Sequence, residues 1–311
     1  SAEGIARKEK NMLKLRRVIL MEQPDIINLN RLNDVFFKAL LGSKERQILT
    51  LNFINSILNR KGNDLFTSVT FPNKEIVPAR INGKSSLLDI LVETNDGTKV
   101  NIEVQAIIDP CMTTRSLYYW SQIYSRALSR GEFYQELHPV ISINLLNFNN
   151  FNNAEYSHSY HITNDETHEI LTNHLELHFI ELKKIHIKDV KQLKKSDHWI
   201  VYFSPNCTDK ERSVLAMHNS IIKEAMDYEK KFSSSNKLKS DYWEYEKTVR
   251  DIASALDYKE KEGMKKGMEE GLQKGFELIK KLKEDGRESE IDRALDDFAY
   301  QEKLMKEYHL K

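Results

Sequence analysis

In this chain of 311 residues, 47 lysines and arginines balance 47 aspartates and glutamates, so a nucleic-acid partner must be held by a local basic patch and not by the whole molecule's field. Apolar residues make up 40% and charged residues 30%, a globular profile, and no stretch approaches the roughly eighteen apolar residues of a membrane span. The two cysteines, Cys111 and Cys207, form no CxxC or zinc pattern and suggest no secreted disulfide framework.

Residues 1–30 read as a basic N-terminal arm. The opening "SAEGIARKEKNMLKLRR" lacks an apolar core and a cleavage site, so it does not read as a signal peptide. Met12 and Met21 are alternative native starts, and a bacterial cytoplasmic location is the default expectation. Next, "RLNDVFFKALLGSKERQILTLNFINSILNR" carries apolar residues at near-helical spacing, from Phe36 and Phe37 to Ile57 and Leu58. Gly42 and Ser43 break it, and Ser43 is a candidate N-cap for a second helix.

Strands follow at 68–71, 87–92 and 99–107, and Pro110 stops the last of them. "TTRSLYYWSQIYSRALSRGE" reads as a helix ending near Gly131. "PVISINLLNF", "SYHI" and "HLELHFIEL" read as three further strands. This order of helix, strands, helix and strands makes residues 31–182 an α/β core. Residues 183–235 then form a helical extension of the core, and 236–311 a charged helical region, with "SSSNKLKS" as a polar joint. Gly263, Gly267, Gly271 and Gly275 recur every four residues there, each costing roughly 1 kcal/mol relative to alanine. An exposed, partly frayed helix and a helix–helix association surface both fit that repeat.

The chemistry centres on "LLDILVETNDGTKVNIEVQ". With Asn95–Asp96–Gly97 as a three-residue hairpin loop, Gly97 takes the left-handed position. Val92 then pairs with Val100, Ile90 with Ile102 and Leu88 with Val104, all apolar, while Glu93 meets Lys99. A two-residue loop would set Ile90 against Glu103, which the pattern rejects. The register makes Asp89 and Glu103 cross-strand neighbours, with β-carbons about 5 Å apart. Two such acids coexist if one is protonated, if both are well solvated, or if a cation joins them. Gln105 lies on the same face and cannot act as a general base. A hairpin with a wet outer face and scattered acids is the plain alternative.

These residues resemble the PD-(D/E)XK nuclease core, and more closely its Rpn branch of recombination-promoting nuclease/putative transposase proteins. The likeness rests on "RLNDVFFKALLG", the hairpin, "TRSLYYWSQIYSRAL…GEFYQEL" and "PVISINLLNF", and it runs from about residue 30 to 280. It implies a restriction-endonuclease-like mixed sheet flanked by helices, with Mg²⁺ or Mn²⁺ supporting hydrolysis of DNA phosphodiester bonds. Asp89 and Glu103 match the metal-binding acids. Gln105 stands where many relatives carry lysine, which leaves a catalytically weak or inactive nucleic-acid-binding module as the alternative. The motif's proline is replaced by Leu88.

Arg115, Tyr119, Gln122, Arg126 and Arg130 form one polar stripe on the following helix, away from Leu117, Trp120 and Tyr124. DNA phosphate contact by Arg115, Tyr119 and Arg126 is the functional expectation, and a solvated helix face the other. Asp34 and Lys38, at i and i+4, either support the site from the first helix, as the resemblance implies, or form a simple ion pair, with Glu45 a substitute acid. The histidines around 158–178 match no zinc spacing and read as ordinary surface residues. A homodimer through the C-terminal helices completes the expected partners.

Overall fold

The computed structural model describes residues 28–72, 89–128, 131, 133–186, 190 and 193–310. The basic arm before residue 28, the Leu88 half of its expected pair, and Arg130 lie outside the described residues.

Helix α1 (Asp34–Leu41) starts where the Asn33 side chain accepts hydrogen bonds from the Val35 and Phe36 amides. It ends at Gly42, and Ser43 accepts from Glu45 N to open a 3-10 turn that leads into α2 (Gln47–Ile57). The expected break and its capping serine are therefore both present. Strands β1 (Val69–Thr70), β2 (Ile90–Thr94) and β3 (Lys99–Gln105) follow. The β2–β3 register is Ile90 with Ile102, Val92 with Val100 and Glu93 with Lys99. Thr94 N donates to Thr98 O at 2.9 Å, and Gly97 has φ +84°, as the three-residue loop requires.

Helix α3 (Met112–Ser125) is shorter than the sequence suggests. The Ser121 and Ser125 hydroxyls donate to the carbonyls of Tyr118 and Gln122 in its last turns. Arg126 is its C-cap. Strands β4 (Val140–Leu146), β5 (Ser157–Tyr160) and β6 (Leu175–Glu181) complete a six-stranded sheet in the order β1-β2-β3-β4-β6-β5. The β3–β4 and β4–β6 pairs are parallel and the other pairs antiparallel. All seven residues of β4 are buried, as expected of a central strand covered on both faces. This mixed sheet between helices is a restriction-endonuclease-like α/β fold.

Helices α4 (His198–Phe203), α5 (Asp209–His218), α6 (Ser220–Ser234) and α7 (Asn236–Glu284) follow. Their early members share one core with α1, α2 and the sheet. Phe36 meets Phe232 at 5.1 Å, Phe37 meets Phe203 at 5.3 Å, and Phe53 meets Trp199 at 5.8 Å between ring centroids. A second cluster joins Met112 of α3 to Leu146, Leu175, Leu177 and Phe179.

The chain divides into two compact units between Val249 and Arg250. The second has its own small core of Leu278, Leu282, Ala294, Leu304 and Leu310, built from the end of α7 with α8 (Ile291–Asp296) and α9 (Phe298–Glu307). Among the described residues no helix is long and apolar enough to cross a membrane.

Candidate active site

Asp89 sits one residue before β2, and Glu103 lies in the middle of β3. Continuing the observed register by one pair places them opposite each other. Each carboxylate reaches across to the other strand's backbone. Val104 N donates to Asp89 Oδ2 at 2.9 Å, and Asp89 N donates to Glu103 Oε1 at 3.4 Å. Asn101 Nδ2 donates to the same Glu103 oxygen at 3.2 Å. The face carrying Asn101 and Glu103 is not wet, since Glu103 is only 3% exposed. Burial raises both carboxyl pKa values above the ordinary range, and the Asp89 charge pushes Glu103 higher still. Lys38 draws Asp89 the other way.

The first helix brings its charged pair to this point. Lys38 Nζ lies 2.8 Å from Asp34 Oδ2 and 3.1 Å from Asp89 Oδ1. The Asp34–Lys38 ion pair therefore exists, and it faces the hairpin acids. Burial alone would lower the Lys38 pKa, but Asp89 and Asp34 outweigh it and hold the ammonium above its usual value. Glu45, the substitute acid, is out on the 3-10 turn with an 85% exposed side chain and stays away from the cluster.

Gln105 ends β3, half-buried, and its carbonyl accepts from Asn147 N at 2.9 Å. Arg115 pairs with Asp109 at 2.6 Å and lies close enough to Glu103 to favour its charged form. Its guanidinium carbon is 5.9 Å from the Tyr119 ring centroid. Tyr119 is half-buried, and Arg126, past the end of α3, is exposed. The helix buries Met112, Ser116 and Ile123, whereas Leu117 is exposed. Trp120 is held by a hydrogen bond from its indole N–H to Val140 O at 2.9 Å.

The chain from residue 31 to 259 matches the family model of the PD-(D/E)XK nuclease family transposases. The protein belongs to this family. Comparison with curated proteins and with solved structures returns no match.

Several residues around the nuclease-family core escape a reading of the sequence. Tyr245 of α7 lies beside Asp34 and Asp89, and burial, reinforced by their charges, pushes its phenol up to about 12. The neighbouring Glu246 accepts from Asn30 Nδ2 and Asn33 Nδ2, both at 2.9 Å. Asn33, the cap of α1, also donates to Tyr242 O at 3.2 Å. The run "DYWEYE" spaces Tyr242, Tyr245 and Glu246 on one helical face, the only signal available beforehand. Asp109, just before Pro110, is likewise visible only once Arg115 is placed.

The family's divalent metal is consistent with this donor set. Asp34 Oδ1 is buried without a hydrogen-bond partner, near Asp89, whose carboxyl and that of Glu103 resist ionising together. Among the described residues, no three or more His, Cys, Asp or Glu side chains form a ready-made metal cage. A magnesium-type ion needs only one or two carboxylates and keeps waters elsewhere. The histidines take ordinary partners: His158 the Glu181 carboxylate, His174 the Tyr124 hydroxyl and His178 the Glu176 carboxylate.

Proposed function

We propose that the protein is a divalent-metal-dependent endonuclease that hydrolyses DNA phosphodiester bonds, with Asp89 and Glu103 as the acids that hold the ion. The reading rests on the reciprocal Asp89–Glu103 lock, two acids brought together across the hairpin and buried enough to raise both carboxyl pKa values. Family membership supports a nuclease-like function at the coarser level. When bound, Mg²⁺ or Mn²⁺ would acidify a water and offset charge building on the phosphate.

The protein's own groups divide the remaining work. Lys38, shared between Asp34 and Asp89, supplies from α1 the positive charge that Gln105 lacks. Gln105 orients a water or a phosphate oxygen by hydrogen bonding. Arg115, steered by Asp109, seats the DNA backbone through its planar fork, with Tyr119 and Arg126 further along.

Plasmid nicking, measured with Mg²⁺ and after chelation, tests the proposal. Metal-dependent nicking by the wild type, lost in both Asp89→Ala and Glu103→Ala, supports it. The uncharged Gln105 favours one rival, a nucleic-acid-binding module with weak or no cleavage. DNA retention without cleavage under any divalent ion would establish that rival instead.

A further inference from the structure

Strands β3 and β4 set a short polar row on the sheet face that α3 covers. Asn101 and Glu103 share that face of β3, and Ser142 and Asn144 are their partners in the parallel β3–β4 register. All four are buried, together with Ser116 of α3. Apolar side chains would fill such places at no polar cost, so each buried polar group calls for a reason.

Asn144 has a structural one. Its Nδ2 donates to His178 O at 3.0 Å and its Oδ1 accepts from Ser116 Oγ at 3.0 Å, tying β4 to β6 and to α3. Asn101 differs. Its side chain is 1% exposed, and among the described residues its one hydrogen bond runs from Nδ2 to Glu103 Oε1 at 3.2 Å. Its Oδ1 is buried with no partner, and so is the hydroxyl of Ser142, its neighbour across the ladder. A buried amide that leaves its own oxygen unsatisfied weakens the fold. What it provides is a hold on Glu103, and that hold is one-sided. Asn101 Nδ2 and Asp89 N, the latter at 3.4 Å, both donate to Oε1, and among the described residues nothing donates to Oε2. Two donors on one oxygen fix the rotation of the carboxylate and leave its other oxygen to a ligand.

We propose that Asn101 is a positioning residue: it fixes the Glu103 carboxylate through Oε1 and so presents Oε2 to a divalent cation. The inference rests on the metal-dependent reading of the site given above. A carboxylate already held in place loses no rotamer freedom on binding, and groups that orient a metal ligand in this way strengthen binding about 10- to 100-fold.

Calorimetric titration of the full-length chain with Mn²⁺, beside thermal melts without added metal, tests the proposal. Asn101→Leu keeps the volume and removes the donor. It is expected to weaken Mn²⁺ binding about 10- to 100-fold while melting no lower than the wild type, because the unsatisfied oxygen goes with the amide. Asn101→Ala removes the donor without filling the space, and it carries the same comparison if the leucine variant does not fold. Ser142→Ala removes the neighbouring hydroxyl and is expected to hold Mn²⁺ with unchanged affinity. Plasmid nicking by Asn101→Leu is expected to recover as Mn²⁺ is raised, whereas Glu103→Ala stays inactive at every concentration. A wild type that binds no Mn²⁺ would overturn the nuclease reading and this inference together. Binding lost in Glu103→Ala but unchanged in Asn101→Leu would overturn this inference alone. An equal loss in Ser142→Ala would do the same, by making the whole polar row structural.

Discussion

At the scale of single residues, the Asp89–Glu103 pair couples stability to pH. Both carboxyls are raised, so between the ordinary carboxylate range and the folded values the native state binds more protons than the unfolded chain. Stability therefore falls as pH rises through that window, and if the two acids hold Mg²⁺ as proposed, added ion is expected to offset the loss increasingly at higher pH. Asp89→Asn removes one charge while still accepting from Val104 N. Without added metal it is expected to stabilise the protein by roughly 1–2 kcal/mol, and cleavage is expected to be lost. Denaturant melts at neutral pH check this, and a loss of stability would refute it. Lys38→Met, which strands the Asp34 and Asp89 carboxylates, is expected to cost roughly 3 kcal/mol in the melt and to lower the single-turnover cleavage rate about 100-fold. An unchanged rate would return the burden of charge to some other residue. Asp89 and Glu103 were legible in the sequence because a hairpin's period and turn fix which residues oppose. The lysine's position was only half legible, because a helix–sheet crossing is set by packing and not by any local pattern.

At the scale of elements, the β2–β3 hairpin sets the spacing of the site, and its turn is the point most sensitive to change. Gly97 is required twice: its φ is +84°, and a side-chain carbon there would lie 2.5 Å from the His138 ring. Gly97→Ala is expected to cost about 2 kcal/mol or more, read as a lowered melting temperature. A shift of under one degree would show that the loop relaxes freely. Elements with a strong local cause were readable in advance: the Gly42–Ser43 break, the hairpin register and the apolar strand β4. The early end of α3 was not, since no glycine or proline marks Ser125 and the first breaker in the sequence is Gly131. The role of "DYWEYE" was equally hidden. Its contacts to Asn33 and Asp34 span more than two hundred residues, and no short-range pattern encodes such a meeting.

At the scale of the whole molecule, one core ties α1 to helices far along the chain, and a second polar tie sits at the C-terminal end of β6. Glu181, fully buried, accepts from Lys184 Nζ at 2.6 Å, from Phe151 N at 3.0 Å, from Asn150 N and from His158. Burial opposes its ionisation, but these donors overcome it and hold its pKa below the usual carboxylate value. The stability this provides is complete above the unfolded carboxylate pKa of about 4.3 and is lost as pH falls through the lower folded value. Glu181→Gln is expected to cost roughly 3 kcal/mol at neutral pH and to flatten the acid limb of the stability curve. An unaltered acid limb would assign acid sensitivity elsewhere. The Glu246–Asn33 bridge carries a different consequence, one that concerns timing during synthesis. A nascent chain that has left the ribosome only as far as β6 already contains every acid of the site. It lacks the residues that brace the start of α1 and border Asp34, so the arrangement described above is completed only when Glu246 has emerged.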